Sequence, residues 1–144
     1  MTTLAVVGVG GWGKNLARNY HQISECNLKY ICDLDQTKLD QLKSQVPGTI
    51  ATTDFGAVLR DPEIEAVVIA TPAPSHYALC KQAIQYGKDV YVEKPFVLEV
   101  AHAEELIELA ARKERILMVG HLLEYHPVVN RLRELIQNNE LGEI

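Results

Sequence analysis

No run of about eighteen apolar residues occurs anywhere in the 144-residue sequence, which argues against a helical membrane span. The opening MTTLAVVGVGGWGK lacks a basic leader, and its apolar stretch is short and broken by glycine, unlike a secretory signal. Cationic excess is missing too: 14 Lys and Arg face 19 Asp and Glu, a net charge of −5. Phosphate-backbone binding needs clustered cations, so nucleic acid is not the expected partner. Cysteine is scarce, and Cys26, Cys32 and Cys80 form no CxxC pair. They read as small apolar fillers in a reducing cytoplasm. Also lacking are Gly/Ser linkers, low-complexity tracts and internal repeats, so no domain boundary is expected inside the chain. What remains is one domain over 1–144, 47% apolar and able to bury a core without disulfides or metal.

Short apolar runs alternate with amphipathic stretches from end to end. Strands are predicted at Leu4–Val7, Leu28–Cys32, about 49–52, Ala66–Ala70, Val90–Val92 and Ile116–Val119. Between them, helical spacing links Trp12, Leu16, Tyr20 and Ile23, then Leu39, Leu42 and Val46, with a small helix near Asp54–Leu59. Ser75 is placed to cap a helix running to Gly87, which suits the position just past a helix end. Val100, Ala103, Ile107 and Ala110 form one stripe, and Pro127 opens a last helix carrying Val128, Leu132, Leu135 and Ile136. Continuous rather than alternating apolar strands, each followed by a helix, predict a parallel sheet covered on both faces.

Gly8-Val9-Gly10-Gly11-Trp12-Gly13 matches GxGxxG. The string gains weight from its surroundings. It follows a strand, opens a helix, and precedes Asp33, at the end of the second strand, by twenty positions from Gly13. In a dinucleotide site Gly8 permits the tight turn, Gly10 admits the pyrophosphate, and Gly13 lets helix and strand pack closely. The helix start offers free N–H groups to phosphate. Asp33 would accept hydrogen bonds from the adenosine ribose hydroxyls and repel a 2′-phosphate, which favours NAD over NADP. The fold expected is therefore a Rossmann-type doubly wound α/β sheet of six strands in the order 3-2-1-4-5-6. Its carboxyl ends then read, across the sheet, Asp33, Gly8–Gly13, Thr71-Pro72, Glu93-Lys94 and His121. This order puts the nicotinamide near Thr71, His76 and Lys94.

Beyond these signals, TPAPSH at 71–76, EKP at 93–95 and VGHLLEYHP at 119–127 complete a set. With GVGGWG and Asp33, it resembles the glucose–fructose oxidoreductase/inositol dehydrogenase (Gfo/Idh/MocA) family over the whole chain. GWGKN and GHLLEYHP look closest to members that oxidise C3 of nucleotide-linked N-acetylamino sugars. The resemblance implies that Lys94 works in proton transfer at the sugar hydroxyl, a role open to a lysine held away from bulk water. On its residue type alone, Lys94 reads first as a solvated lysine at a strand end, and the EKP register reverses that order. Glu93 either interacts with Lys94 or faces the cofactor ribose. The resemblance also implies a cis Lys94–Pro95 peptide. His76 is either a nicotinamide-side residue or a capping or surface histidine. His121, Tyr125 and His126 fall where substrate contacts are expected, though many relatives carry Asn and Arg in this segment. The spacings of His121, Glu124 and His126 do not make the histidine pair of a metal helix, so no metal is expected.

Family members continue past the GEI at 142–144 into a second α/β domain that supplies most sugar contacts; nothing in this chain stands in for it. The leading expectation is an NAD-dependent sugar or nucleotide-sugar oxidoreductase represented by its cofactor half, inactive alone. The alternatives are a non-catalytic NAD-binding module and a fragment that self-associates. An apolar patch around Val128–Ile136 and Tyr91–Phe96 is expected to favour a homo-oligomer.

Overall fold

The computed structural model describes residues 1–142; Glu143 and Ile144, the end of the GEI segment, lie outside the described residues. Six strands, β1 (Thr2–Val7), β2 (Cys26–Cys32), β3 (Ile50–Thr52), β4 (Ala66–Ile69), β5 (Asp89–Val92) and β6 (Leu117–Val119), form one sheet. All pairings are parallel and the order is β3-β2-β1-β4-β5-β6, as expected from the sequence. The connections hold α1 (Gly13–Gln22), α2 (Gln36–Lys43), α3 (Phe55–Arg60), α4 (His76–Gln85) and α5 (Val100–Arg112), and α6 (Pro127–Gln137) follows β6.

The continuous apolar strands feed two cores, one on each face. Ala5, Val7, Val67, Ile69, Val90 and Val92 meet α3, α4 and α5 through side chains such as Val58, Ile84 and Leu106. Leu4, Val6 and Val68 point the other way, onto Leu16 and Ala17 of α1 and Leu39 and Leu42 of α2. Alternation along a strand sends successive residues to opposite faces, so a strand buried on both sides must be apolar throughout. One irregularity breaks the alternation. Leu4 pairs with Leu28 but Ala5 with Tyr30, so Lys29 is an extra residue on β2. Leu28 and Ile31 therefore share one core despite being three apart.

Helix ends follow local chemistry. Past α4, Gly87 takes φ +73°, its N–H reaches the Ile84 carbonyl, and Lys88 N–H reaches Ala83. This is the glycine-terminated stop expected from the sequence. Ser75 is a correction: it precedes α4, but its side chain caps nothing. A short 3₁₀ turn (Ala73–Ser75) intervenes, and Ser75 Oγ donates instead to the Pro72 carbonyl. The α5 stripe is also corrected. Leu106, Leu109 and Ala110 are buried, whereas Val100 and Ile107 face solvent, because the apolar set at i, i+3 and i+4 that starts from Leu106 takes the core-facing side of the helix. Finally, α6 covers no part of the sheet: none of its residues is buried, and Val128 is 67% exposed. The expected patch is thus real along α6, but Tyr91 and Phe96 are half-buried against the cores and do not extend it.

Candidate cofactor site

Strand order alone brings the glycine loop beside the ends of β2 and β4. Gly8 has φ +85°, a conformation that L side chains rarely adopt, and an added Cβ would lie 2.7 Å from Thr71. At Gly13 a Cβ would collide with the Gly8 carbonyl oxygen. Those two glycines make the turn and its packing. Gly10 and Gly11 differ, since nothing lies within 4 Å of an added Cβ at either. The open side there borders a cleft of about 760 Å³ lined by Gly8, Gly10, Gly11, Asp33, Thr71 and Pro72, among others. The amides of Gly10, Gly11 and Trp12 donate to no protein acceptor among the described residues. Free amides at the start of α1 suit an anion.

Asp33 sits at the cleft wall. Its Oδ2 accepts the Val9 N–H at 2.8 Å and its Oδ1 the Asp35 N–H at 3.0 Å, which ties the end of β2 to the glycine loop. Each oxygen keeps a lone pair for a further donor. Lys38 Nζ lies 3.9 Å from Asp33 Oδ1 and 3.6 Å from Asp35. Phe55, Pro74 and Leu79 supply an apolar wall that sequence reading missed, because they come from two separate connections, β3 to β4 and β4 to β5. Beneath the cleft, burial pushes the Cys32 thiol up to about 11, with the Asp33 and Asp54 charges adding to it. The open glycines, the free amides and the carboxylate at the cleft wall together fit a dinucleotide.

Other expected site residues fall outside the cleft. His76 is 1% exposed, so it is neither a surface residue nor a wall. Its ring bridges two carbonyls, Nε2 to Thr71 at 2.7 Å and Nδ1 to Pro95 at 2.9 Å, and so straps the β4 end to the segment after β5. Glu93, also buried, takes the first of the two roles open to it in the sequence, though through the Lys94 backbone N–H at 3.3 Å and not its ammonium. Its carboxylate binds the Trp12 indole and the Tyr91 hydroxyl. Lys94 is exposed, its ammonium has no partner among the described residues, and the Lys94–Pro95 peptide is cis. His121 and Tyr125 are exposed on the turn after β6. His126 Nδ1 accepts the Val128 N–H and caps α6, while Glu124 pairs with Arg133.

Comparison with known proteins agrees with this geometry. Residues 2–121 match the Gfo/Idh/MocA model, described as an oxidoreductase family with an NAD-binding Rossmann fold. Inositol 2-dehydrogenase of Rhodococcus jostii (strain RHA1) is 29% identical over 143 residues, covering 98% of this chain and 39% of that protein. UDP-N-acetylglucosamine 3-dehydrogenase of Acidithiobacillus ferrooxidans is 32% identical over 129 residues, covering 90% and 40%. The crystal structure of GenD2 from gentamicin A biosynthesis in complex with NAD superimposes with a TM-score of 0.91 at 32% identity, covering 96% of this chain and 40% of that one. The chain thus spans about two fifths of the length of these relatives. With residues 2–121 matching that model, the chain belongs to the Gfo/Idh/MocA oxidoreductase family and carries its NAD-binding Rossmann fold on the six-stranded parallel sheet described above.

Proposed function

We propose that this chain is the cofactor half of an NAD-dependent oxidoreductase acting on a secondary hydroxyl of a sugar or nucleotide-sugar. One observation carries the reading: Asp33, the open glycines and Thr71-Pro72 share a single cleft at the carboxyl ends of the strands. When bound, NAD supplies the hydride acceptor. The free amides of Gly10, Gly11 and Trp12 hold the pyrophosphate, with Val9 and Gly13 shaping the loop beneath them. Asp33 accepts from the adenosine ribose and disfavours a 2′-phosphate by like charge. Thr71 and Pro72 wall the nicotinamide side, where His76 and Glu93 hold the backbone in place. Lys94, exposed and unpaired in this chain, receives the hydroxyl proton as a neutral amine and becomes ammonium, while the alcohol carbon gives up its hydride. His121, Tyr125 and His126 lie beyond it on the substrate side. A second, substrate-binding domain is needed for orientation and water exclusion, so this chain alone binds without efficient turnover.

The relatives point to inositol and UDP-N-acetylglucosamine as substrate types to try first. The protein works in the reducing cytoplasm, a reading supported by three free cysteines. Among the described residues no helix is long and apolar enough to cross a membrane. Self-association would run through the exposed face of α6. The decisive test uses the protein carrying a substrate domain, assayed with NAD and each sugar. Lys94→Ala is expected to depress turnover far more than NADH affinity. Near-normal turnover in that variant would remove Lys94 from the chemistry.

A further inference from the structure

Three motifs far apart in the sequence converge on one buried carboxylate. Glu93 Oε1 accepts the Trp12 indole N–H at 2.8 Å and the Tyr91 hydroxyl at 3.1 Å, while Oε2 accepts the Lys94 N–H at 3.3 Å. Gly120, just past β6, closes the arrangement. A Cβ there would collide with the Tyr91 hydroxyl and lie 3.1 Å from Glu93 Oε1. Trp12 comes from the glycine loop and reaches past β4 to make its bond. A carboxylate taken from water needs its donors, and two on one oxygen with a third on the other fix its plane. Burial and the Glu93 charge both push the Tyr91 phenol up, so it stays a donor. The same loop amide that is free for pyrophosphate therefore belongs to a residue whose side chain leads, through one carboxylate, to the Lys94 backbone.

We propose that Trp12 and Tyr91 are positioning residues that fix the Lys94 backbone through Glu93, coupling the seating of the glycine loop to the orientation of Lys94. Its meaning for the reaction rests on Lys94 being the proton-transfer residue; the coupling itself is a property of the fold.

Trp12 is the only tryptophan, so ¹⁵N spectra of the chain contain a single indole N–H signal to follow. Without ligand, Glu93→Gln is expected to lower protection of that N–H from exchange about 10-fold, the difference between a charged and a neutral acceptor. Trp12→Phe is expected to move the Lys94 amide resonance despite its distance in sequence. Tyr91→Phe removes one hydroxyl, moves the same resonance, and keeps the test alive if the tryptophan variant does not fold. ADP-ribose, which carries the pyrophosphate but no nicotinamide, is then added. It is expected to shift the Lys94 amide in the wild-type chain, and this shift is lost in Trp12→Phe and reduced in Tyr91→Phe while the Gly10 amide still responds. A Lys94 amide unmoved by either substitution, or by ADP-ribose that does move Gly10, overturns the coupling. A wild-type chain that takes up no ADP-ribose refutes the cofactor reading instead, and the ligand-free spectra then decide the coupling by themselves.

Discussion

Gly10 and Gly13 stand three positions apart, yet replacing them should break different things. A methyl at Gly13 has nowhere to go beside the Gly8 carbonyl, so Gly13→Ala is expected to cost several kcal/mol, about 3 by comparison with overpacked cores. Thermal denaturation would register the loss, and a wild-type melting temperature would contradict it. A methyl at Gly10 meets only open space, so Gly10→Ala should melt like the wild type and bind NADH at least about 10-fold more weakly. The glycine loop and Asp33 were legible in the sequence because the fingerprint is local and its spacing is set by one strand–helix–strand unit. The environment of Glu93 was not. Its bond to Trp12 spans 81 positions, and no periodicity announces it. His76 was readable as important but not in its role, since the carbonyls it straps become neighbours only after β4 and β5 pair.

Element ends and clips offer separate tests. Past α5, Glu114 takes φ +54°, and the N–H groups of Glu114 and Arg115 satisfy the last carbonyls, an ending that glycine fills at α4. Glu114→Gly is expected to raise stability by about 0.5–1 kcal/mol in chemical denaturation, because a side chain is disfavoured there. A loss of stability would show that the glutamate backbone is unstrained. At the opposite end of the sheet from the cleft, the extra β2 residue Lys29 bonds Asp61 at 2.6 Å and Glu63 at 2.8 Å. The Lys29 hydrogen bond, followed by the Glu63 amide, holds the Asp61 carboxyl down at about 2. Its contribution is therefore complete above the ordinary carboxylate value of about 4 and is lost as pH falls towards 2. Asp61→Asn should be less stable at neutral pH and lose less additional stability between about pH 4 and 2; parallel acid curves for the two chains would contradict this. Elements were legible from apolar runs because buried parallel strands tolerate little else. The α5 rotation was not, since Val100 and Ile107 have the right spacing and only packing ranks them below Leu106 and Leu109.

At the scale of the molecule, two cores close on the sheet without α6, which leaves its apolar side chains in water. Leu132, nearly half exposed, lies on that face with Val128 and Ile136. Sedimentation over a concentration series is expected to show a rising mass, and Leu132→Glu to abolish the rise. A monomer at every concentration would remove self-association from the account. The carboxyl ends of the strands, however, open on a cleft lined by the glycine loop, Asp33 and Thr71-Pro72, and NAD is the ligand it fits. Titration of the chain with NADH and with NADPH, followed by calorimetry and by emission from Trp12 beside the glycine loop, tests it most directly. Saturable binding of one NADH per chain is expected, weakened at least about 10-fold for NADPH by the Asp33 charge and similarly by Gly10→Ala. No saturable NADH binding, or equal binding to the Gly10 variant, would contradict it.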